Sequence, residues 1–260
     1  VVSPAFTSGL VGTPNELKLK YLADNDFADL RGDELKAAIK AAPANATEPT
    51  TIYLKAGRCT GCFDIEESRN VILTSNEDAV IDGLVHGNSG NYITLKGLTL
   101  TNETPAKTAT SRNNADGYCV GGYANCFHIE DCTFNVKSLG AINIYAAFNA
   151  NKEEFELTVL NSTFNCNGFT PIRCKTNTKI DGCIFNDQKR YSMQFQANSQ
   201  AASEKVVFTN NKVNDPCLTS GEPFAAGVQI SHSQLCEEVA LTISGNTLES
   251  ELFSDLKFAY

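Results

Sequence analysis

Five short segments of the chain place hydrogen-bonding side chains at every second position: AINIY from Ala141, PIRCK from Pro171, SMQFQ from Ser192, GVQIS from Gly227 and DLKFAY from Asp255. One alternating row reads Asn143, Arg173, Gln194, Gln229 and Lys257; beside it runs a second, Tyr145, Lys175, Gln196 and Ser231. On neighbouring strands about 4.8 Å apart, each row becomes a ladder of amides, a phenol and cations. Such a set can hydrogen-bond sugar hydroxyls, and Arg173 and Lys175 can pair with the carboxylates of a uronate chain. Arg173 and Lys175 are the groups able to move protons there, and Asp116 stands in a loop leading into the same strands. The plain counter-reading is a solvated sheet face, because polar rows cover the outside of any solenoid.

The elements that would hold these rows repeat. The segment ITLKGLTL from Ile93 returns as FHIEDCTF from Phe127, LTVLNSTF from Leu157, TKIDGCIF from Thr178, VVFTNNKV from Val206 and LTISGNTL from Leu241. Period-two alternation on both sides of a central residue marks two strands with one buried face each. The central residue is Gly97, Asp131, Asn161, Gly182, Asn210 or Gly245, all types that tolerate a left-handed backbone. Each copy is therefore strand, bend, strand, and the segments named first supply a third strand. Successive copies begin 34, 30, 21, 28 and 35 residues apart. The pattern predicts an all-β parallel β-helix with three strands per coil. The inward pairs of the third strands are Ile142 and Ile144, Ile172 and Cys174, Met193 and Phe195, Val228 and Ile230, Leu256 and Phe258. In the column after the bend, Asn211 and Asn246 follow Leu98, Cys132, Ser162 and Cys183 and predict an internal hydrogen-bond ladder.

Bulk properties narrow the partners. The formal charge of −9 speaks against nucleic acid or an anionic membrane. No apolar run reaches the roughly 20 residues of a membrane span. Residues 1–20 carry no signal-peptide pattern, so a secreted protein would be numbered here from its mature end. Ten cysteines and sequons at Asn45, Asn102 and Asn161 favour an extracellular or cell-surface site. Cys132, Cys174 and Cys183 point inward as small core residues. Cys59, Cys62, Cys119, Cys126, Cys166, Cys217 and Cys236 fall in loops or at strand edges and are the disulfide candidates; Cys59-Thr-Gly-Cys62 fits a disulfide better than a metal knuckle. The three histidines stand far apart, and no histidine site emerges from their spacing.

Residues 1–50 read as an N-terminal extension and capping helix, and 51–260 as the β-helix. Within the extension, Asp33 to Ala42 predicts a helix with Asp33 as N-cap, stopped by Pro43 and covering the open first coil. Then TIYLKAGRCTGCFDIEESRNVILTSNEDAVIDG supplies the first strands, with Ile52, Leu54, Phe63, Ile65, Val71, Leu73 and either Val80 or Ile81 inward. A short helix followed by I-x-L-x-x-G-x-x-x-G-x-F-x-I and V-I-D-G resembles the opening of the pectin-lyase-like right-handed β-helix superfamily. The resemblance covers residues 33–260 and implies the fold; the superfamily includes lyases, hydrolases, esterases, tailspikes and non-enzymes.

Two catalytic resemblances are partial. Asn114-Ala-Asp-Gly117 is similar to the N-T-D-G segment of polygalacturonases, and Pro171-Ile-Arg-Cys-Lys175 is similar to their R-I-K segment. Inverting hydrolysis needs a second carboxylate about 6.5–9.5 Å away, yet Leu139 to Asn143 supplies none. A lyase fits better than a hydrolase, with Arg173 or Lys175 as base and calcium as an optional cofactor, although Asp116, Asp187, Asp215 and Glu222 are scattered over several coils. Two functions follow as expectations. One is a secreted protein that binds, and as an enzyme would process, a polysaccharide along the outward rows. The other is a non-enzymatic solenoid that assembles with a second copy or a neighbouring chain through its last coil, where Leu256 and Phe258 would lie uncovered.

Overall fold

The computed structural model describes residues 16–18, 28–88, 90–104, 115–124, 126–137, 139–146, 154–166, 170–188, 191–196, 203–214, 228–231 and 238–249. They form parallel strands in curled sheets, with one helix, an all-β arrangement compatible with a parallel β-helix or solenoid-like stack. The first strand of each repeat joins a nine-stranded sheet that runs from Glu16–Lys18 through Thr50–Tyr53, Asn70–Thr74 and Tyr92–Lys96 to Glu238–Ser244. The second and third strands join a 13-stranded sheet. Within that sheet Ala79–Gly87 pairs by its first half with Thr99–Thr101 and by its second half with Val120–Ala124, so the sheet divides into two branches. The rows of the first subsection lie on the second branch.

The bends fall where the repeat places them. Gly97, Asp131, Asn161, Gly182, Asn210 and Gly245 all have positive φ, between 49° and 68°. An L-residue with a β-branch would be strained at that turn, whereas Asn, Asp and Gly enter it at low cost. The residue after each bend points into the core. Its column is the predicted ladder: Cys132 N–H donates to Ser162 Oγ (3.1 Å), Cys183 N–H to Asn211 Oδ1 (2.8 Å) and Asn211 N–H to Asn246 Oδ1 (2.8 Å). The amides also reach back, Asn211 Nδ2 to Ile180 O and Asn246 Nδ2 to Phe208 O. A bend takes backbone groups out of the strand ladder, and the side chain of the next coil satisfies them. Asn211→Ala leaves two such groups unpaired in the core and is expected to cost about 1–3 kcal/mol, read from the urea midpoint. An unchanged midpoint would show the ladder to be ornamental.

Packing follows the alternation. Ile52, Leu54, Phe63, Ile65, Val71 and Leu73 are buried, and of the two alternatives in Ala79–Gly87 it is Ile81 that points inward. Ile142, Ile144, Ile172, Cys174, Met193 and Phe195 are buried; Val228 and Ile230 are partly so. Leu256 and Phe258 lie outside the described residues. Outside the core, one position beyond the aligned repeat, Asn135, Asn165, Asn186 and Asn214 form a second ladder, each Nδ2 donating to the preceding Oδ1 at 2.7–2.9 Å.

Three expectations are corrected. The helix spans Ala28–Ala41, so Asp33 lies inside it and is not its N-cap. Leu35, Ala38 and Ile39 are buried, and the helix packs against Gly57–Ile65. Residues 16–18 add a parallel strand beside Thr50–Tyr53, so part of the extension belongs to the sheet. Cys59, Cys119 and Cys166 are buried core residues like Cys132, Cys174 and Cys183; Cys59 falls in register with Ile81 and Cys166 with Val136, both inward-facing. Among the described residues no disulfide joins two cysteines. Cys217 and Cys236 lie outside the described residues.

Candidate functional site

Register turns the third strands into the expected rows. Asn143 stands opposite Arg173, Arg173 opposite Gln194, and Gln194 opposite Gln229. Their side chains connect: Arg173 Nε donates to Gln194 Oε1 (2.9 Å), and Gln194 Nε2 donates to Gln229 Oε1 (2.6 Å). Arg173 Nη1 also donates to the Tyr118 hydroxyl at 3.4 Å. Arg173 nevertheless remains exposed, so its charge faces solvent while its orientation is set by neighbours. Fixing a planar guanidinium in advance lowers the entropy lost when it meets a ligand.

The second row is aromatic at its start. Tyr123 and Tyr145 lie 5.7 Å apart at 44°, and Lys175 Nζ sits 5.1 Å from the Tyr145 ring centre. The cation lies within reach of the ring face, an attractive geometry. Gln196 is exposed and in register with Ser231. Rings flanked by amides and cations can stack on a sugar face and bond its hydroxyls.

The row extends further than its sequence pattern indicated. Asn143 is in register with Gly121, Gly121 with His86, and His86 with Asp64. His86 Nδ1 lies 2.8 Å from Asp64 Oδ1, and His86 is 2% exposed. A carboxylate accepts, so Nδ1 carries the proton. The spacing of the histidines did not indicate this pair, which lies inside the fold. The signal was the glycines: aligning Gly61 with Gly83, which are register partners, sets Asp64 opposite His86. A Cβ on Gly83 would stand 2.0 Å from the Gly61 carbonyl oxygen, which explains glycine there.

Other expected residues separate from the rows. Asn143, expected on an open face, is 3% exposed. Asp116 lies in the turn before Val120–Ala124 and acts on Cys62, whose thiol is pushed up to about 12 by burial and then by Asp64 and Asp116. A thiol so placed stays protonated and is a poor nucleophile. Asn102 of the second sequon is also 3% exposed, with Nδ2 donating to Gly117 O at 2.7 Å; the nitrogen a glycan would use is committed inside the fold. Asn45 and Asn161 are exposed. Among the described residues no group of three or more His, Cys, Asp or Glu could hold a metal ion; Asp215 and Glu222 lie outside the described residues. No described helix is long and apolar enough to cross a membrane.

Compared with known proteins, the chain matches no family model, no curated protein and no solved structure.

Proposed function

We propose that this chain is a right-handed parallel β-helix with three strands per coil, of pectin-lyase-like type, that binds an extended acidic polysaccharide outside the cell along its third-strand face. What supports the reading is the exposed Arg173 held between Tyr118 and Gln194, beside the row Tyr123, Tyr145 and Lys175. Sugar rings would stack on the tyrosines, carboxylates would pair with Arg173 and Lys175, and Gln194, Gln196 and Gln229 would take hydroxyls. The residues gathered there are donors, cations and rings, a set suited to holding a chain. Asn45 and Asn161 would carry glycans on exposed bends.

Calorimetric titration with oligouronides tests this. Arg173→Ala is expected to weaken binding about 10- to 100-fold, the value of a charge-assisted bond. Neutral oligosaccharides should bind more weakly than acidic ones. Equal binding by wild type and Arg173→Ala would sink the proposal. A second reading, assembly with another copy, has support from Leu241, which is 46% exposed on the last described strand of the nine-stranded sheet. Sedimentation velocity without sugar separates the two: a concentration-dependent shift would favour assembly.

A further inference from the structure

His86 and Asn143 belong to the same outward row as Arg173, yet both are buried while Arg173 is open. The turn 115–118 covers the row position between the two buried residues. Ala115 is 1% exposed and Tyr118 5%, and the turn closes through Tyr118 N–H to Ala115 O at 3.0 Å. Between His86 and Asn143 the row has Gly121, where an added Cβ would lie 2.6 Å from the Ala115 Cβ. Ala115 therefore occupies the place where a row side chain would project. Gly122 plays a similar part beside His86: a Cβ there would lie 2.7 Å from Nε2.

Two side-chain hydrogen bonds among the described residues reach the turn. Asn102 Nδ2 donates to Gly117 O at 2.7 Å, and Arg173 Nη1 reaches the Tyr118 hydroxyl at 3.4 Å. The second is long, and its donor is the side chain a ligand would compete for. We propose that the turn 115–118 is a displaceable plug over a cryptic extension of the row, formed by His86 and Asn143 with the part-exposed Asp64 at its edge. This rests on the row being the ligand site. The two halves differ in charge. Arg173 and Lys175 mark the open half, whereas the part-exposed Asp64 and Asp116 border the covered one. The covered half would thus reject a carboxylate and take an uncharged, hydroxyl-bearing sugar unit, bonded by Asp64, His86 and Asn143. A ligand that draws Arg173 from Tyr118 loosens the plug and lengthens its own site.

Diethyl pyrocarbonate labelling of the full chain, read by mass spectrometry of the His86 and His128 peptides, tests this. His128 is the reference, with its side chain 34% exposed. In the wild type His86 should label far more slowly than His128. Asn102→Ala should accelerate His86 about tenfold, the value of one hydrogen bond, by raising the open population. Should that variant unfold, Tyr118→Phe decides, because it keeps the ring and removes the hydroxyl; it too should accelerate His86 with an unchanged melting temperature. A folded Tyr118→Phe with His86 still protected, or wild-type His86 as reactive as His128, overturns the plug. Adding a bound oligouronide should accelerate His86 in the wild type. Binding without acceleration overturns the coupling and leaves the row reading intact; no binding at all, with the variants still accelerating His86, sinks the row reading and leaves the plug.

Discussion

Phe164→Ala is expected to lower the stability of the chain by about 3–5 kcal/mol, the cost of deleting a fully buried aromatic side chain. Phe164 is the middle of a stack. Its ring lies 4.7 Å from that of Phe134 at 3°, and 4.9 Å from that of Phe185 at 6°. Each lies on the second strand of its repeat, in register with the next. Truncation removes two ring contacts and opens a cavity that neither neighbour can fill without leaving its own rotamer. Because repeats contact chiefly their neighbours, the loss should be concentrated at this point of the stack. Amide exchange should therefore rise most in Thr133–Val136, Thr163–Cys166 and Ile184–Asn186. Phe164→Leu should recover much of the loss, since it restores volume without the stack. An equilibrium change below about 1 kcal/mol would mean that the site collapses around the deletion.

That stack was legible in the sequence. FHIEDCTF, LTVLNSTF and TKIDGCIF each end on phenylalanine, and the bend type set the register of every copy. Left-handed backbone at all the bend positions, and the Asn211 and Asn246 ladder, follow from residue type at fixed spacing. The third-strand rows were legible for the same reason. What escaped reading needed pairing between unlike segments. Asp64 and His86 lie in Gly57–Ile65 and Ala79–Gly87, long strands that precede the regular repeat and share with it no bend. The outer asparagine ladder stands one residue past the repeat boundary, where the loops begin to vary. The burial of Asn143 and Asn102 depends on the 115–118 turn folding back over the sheet, a contact that alternation along a strand does not encode. The sequence around Cys59, Cys119 and Cys166 is glycine-rich or irregular and reads as loop or strand edge, yet register carries Cys59 and Cys166 inward and Cys119 is buried beside Val120.

Arg69→Met is expected to cost about 3 kcal/mol, because it removes a buried guanidinium that serves as the C-terminal cap of the helix. Arg69 is 6% exposed. Its Nε donates to Ile39 O at 3.1 Å and Nη2 to Lys40 O at 3.0 Å, two carbonyls of the last helical turn. Nη1 donates to Glu66 O at 3.2 Å, and both terminal nitrogens reach Glu67 Oε2, at 2.8 and 3.0 Å. Glu67 and Ser68 have φ of 60° and 51°, so the fork also braces a left-handed turn between the helix end and Asn70–Thr74. Methionine retains the apolar stem and no donor, which isolates the hydrogen bonds from the packing. Lysine should rescue little, since a point charge cannot serve the helix carbonyls and the turn together. Glu67→Gln should cost well under 1 kcal/mol, because the Glu67 side chain is 65% exposed and that ion pair is solvent-screened. The three variants compared by urea denaturation distinguish a cap from an ion pair. If Glu67→Gln costs as much as Arg69→Met, the guanidinium acts through charge and the cap assignment fails. If Arg69→Met is large and Glu67→Gln small, and exchange rises across Ala28–Ala41, the helix covers the first coil because Arg69 satisfies its end. The apolar face of Leu35, Ala38 and Ile39 then stays in place through a polar contact on the opposite side of the turn.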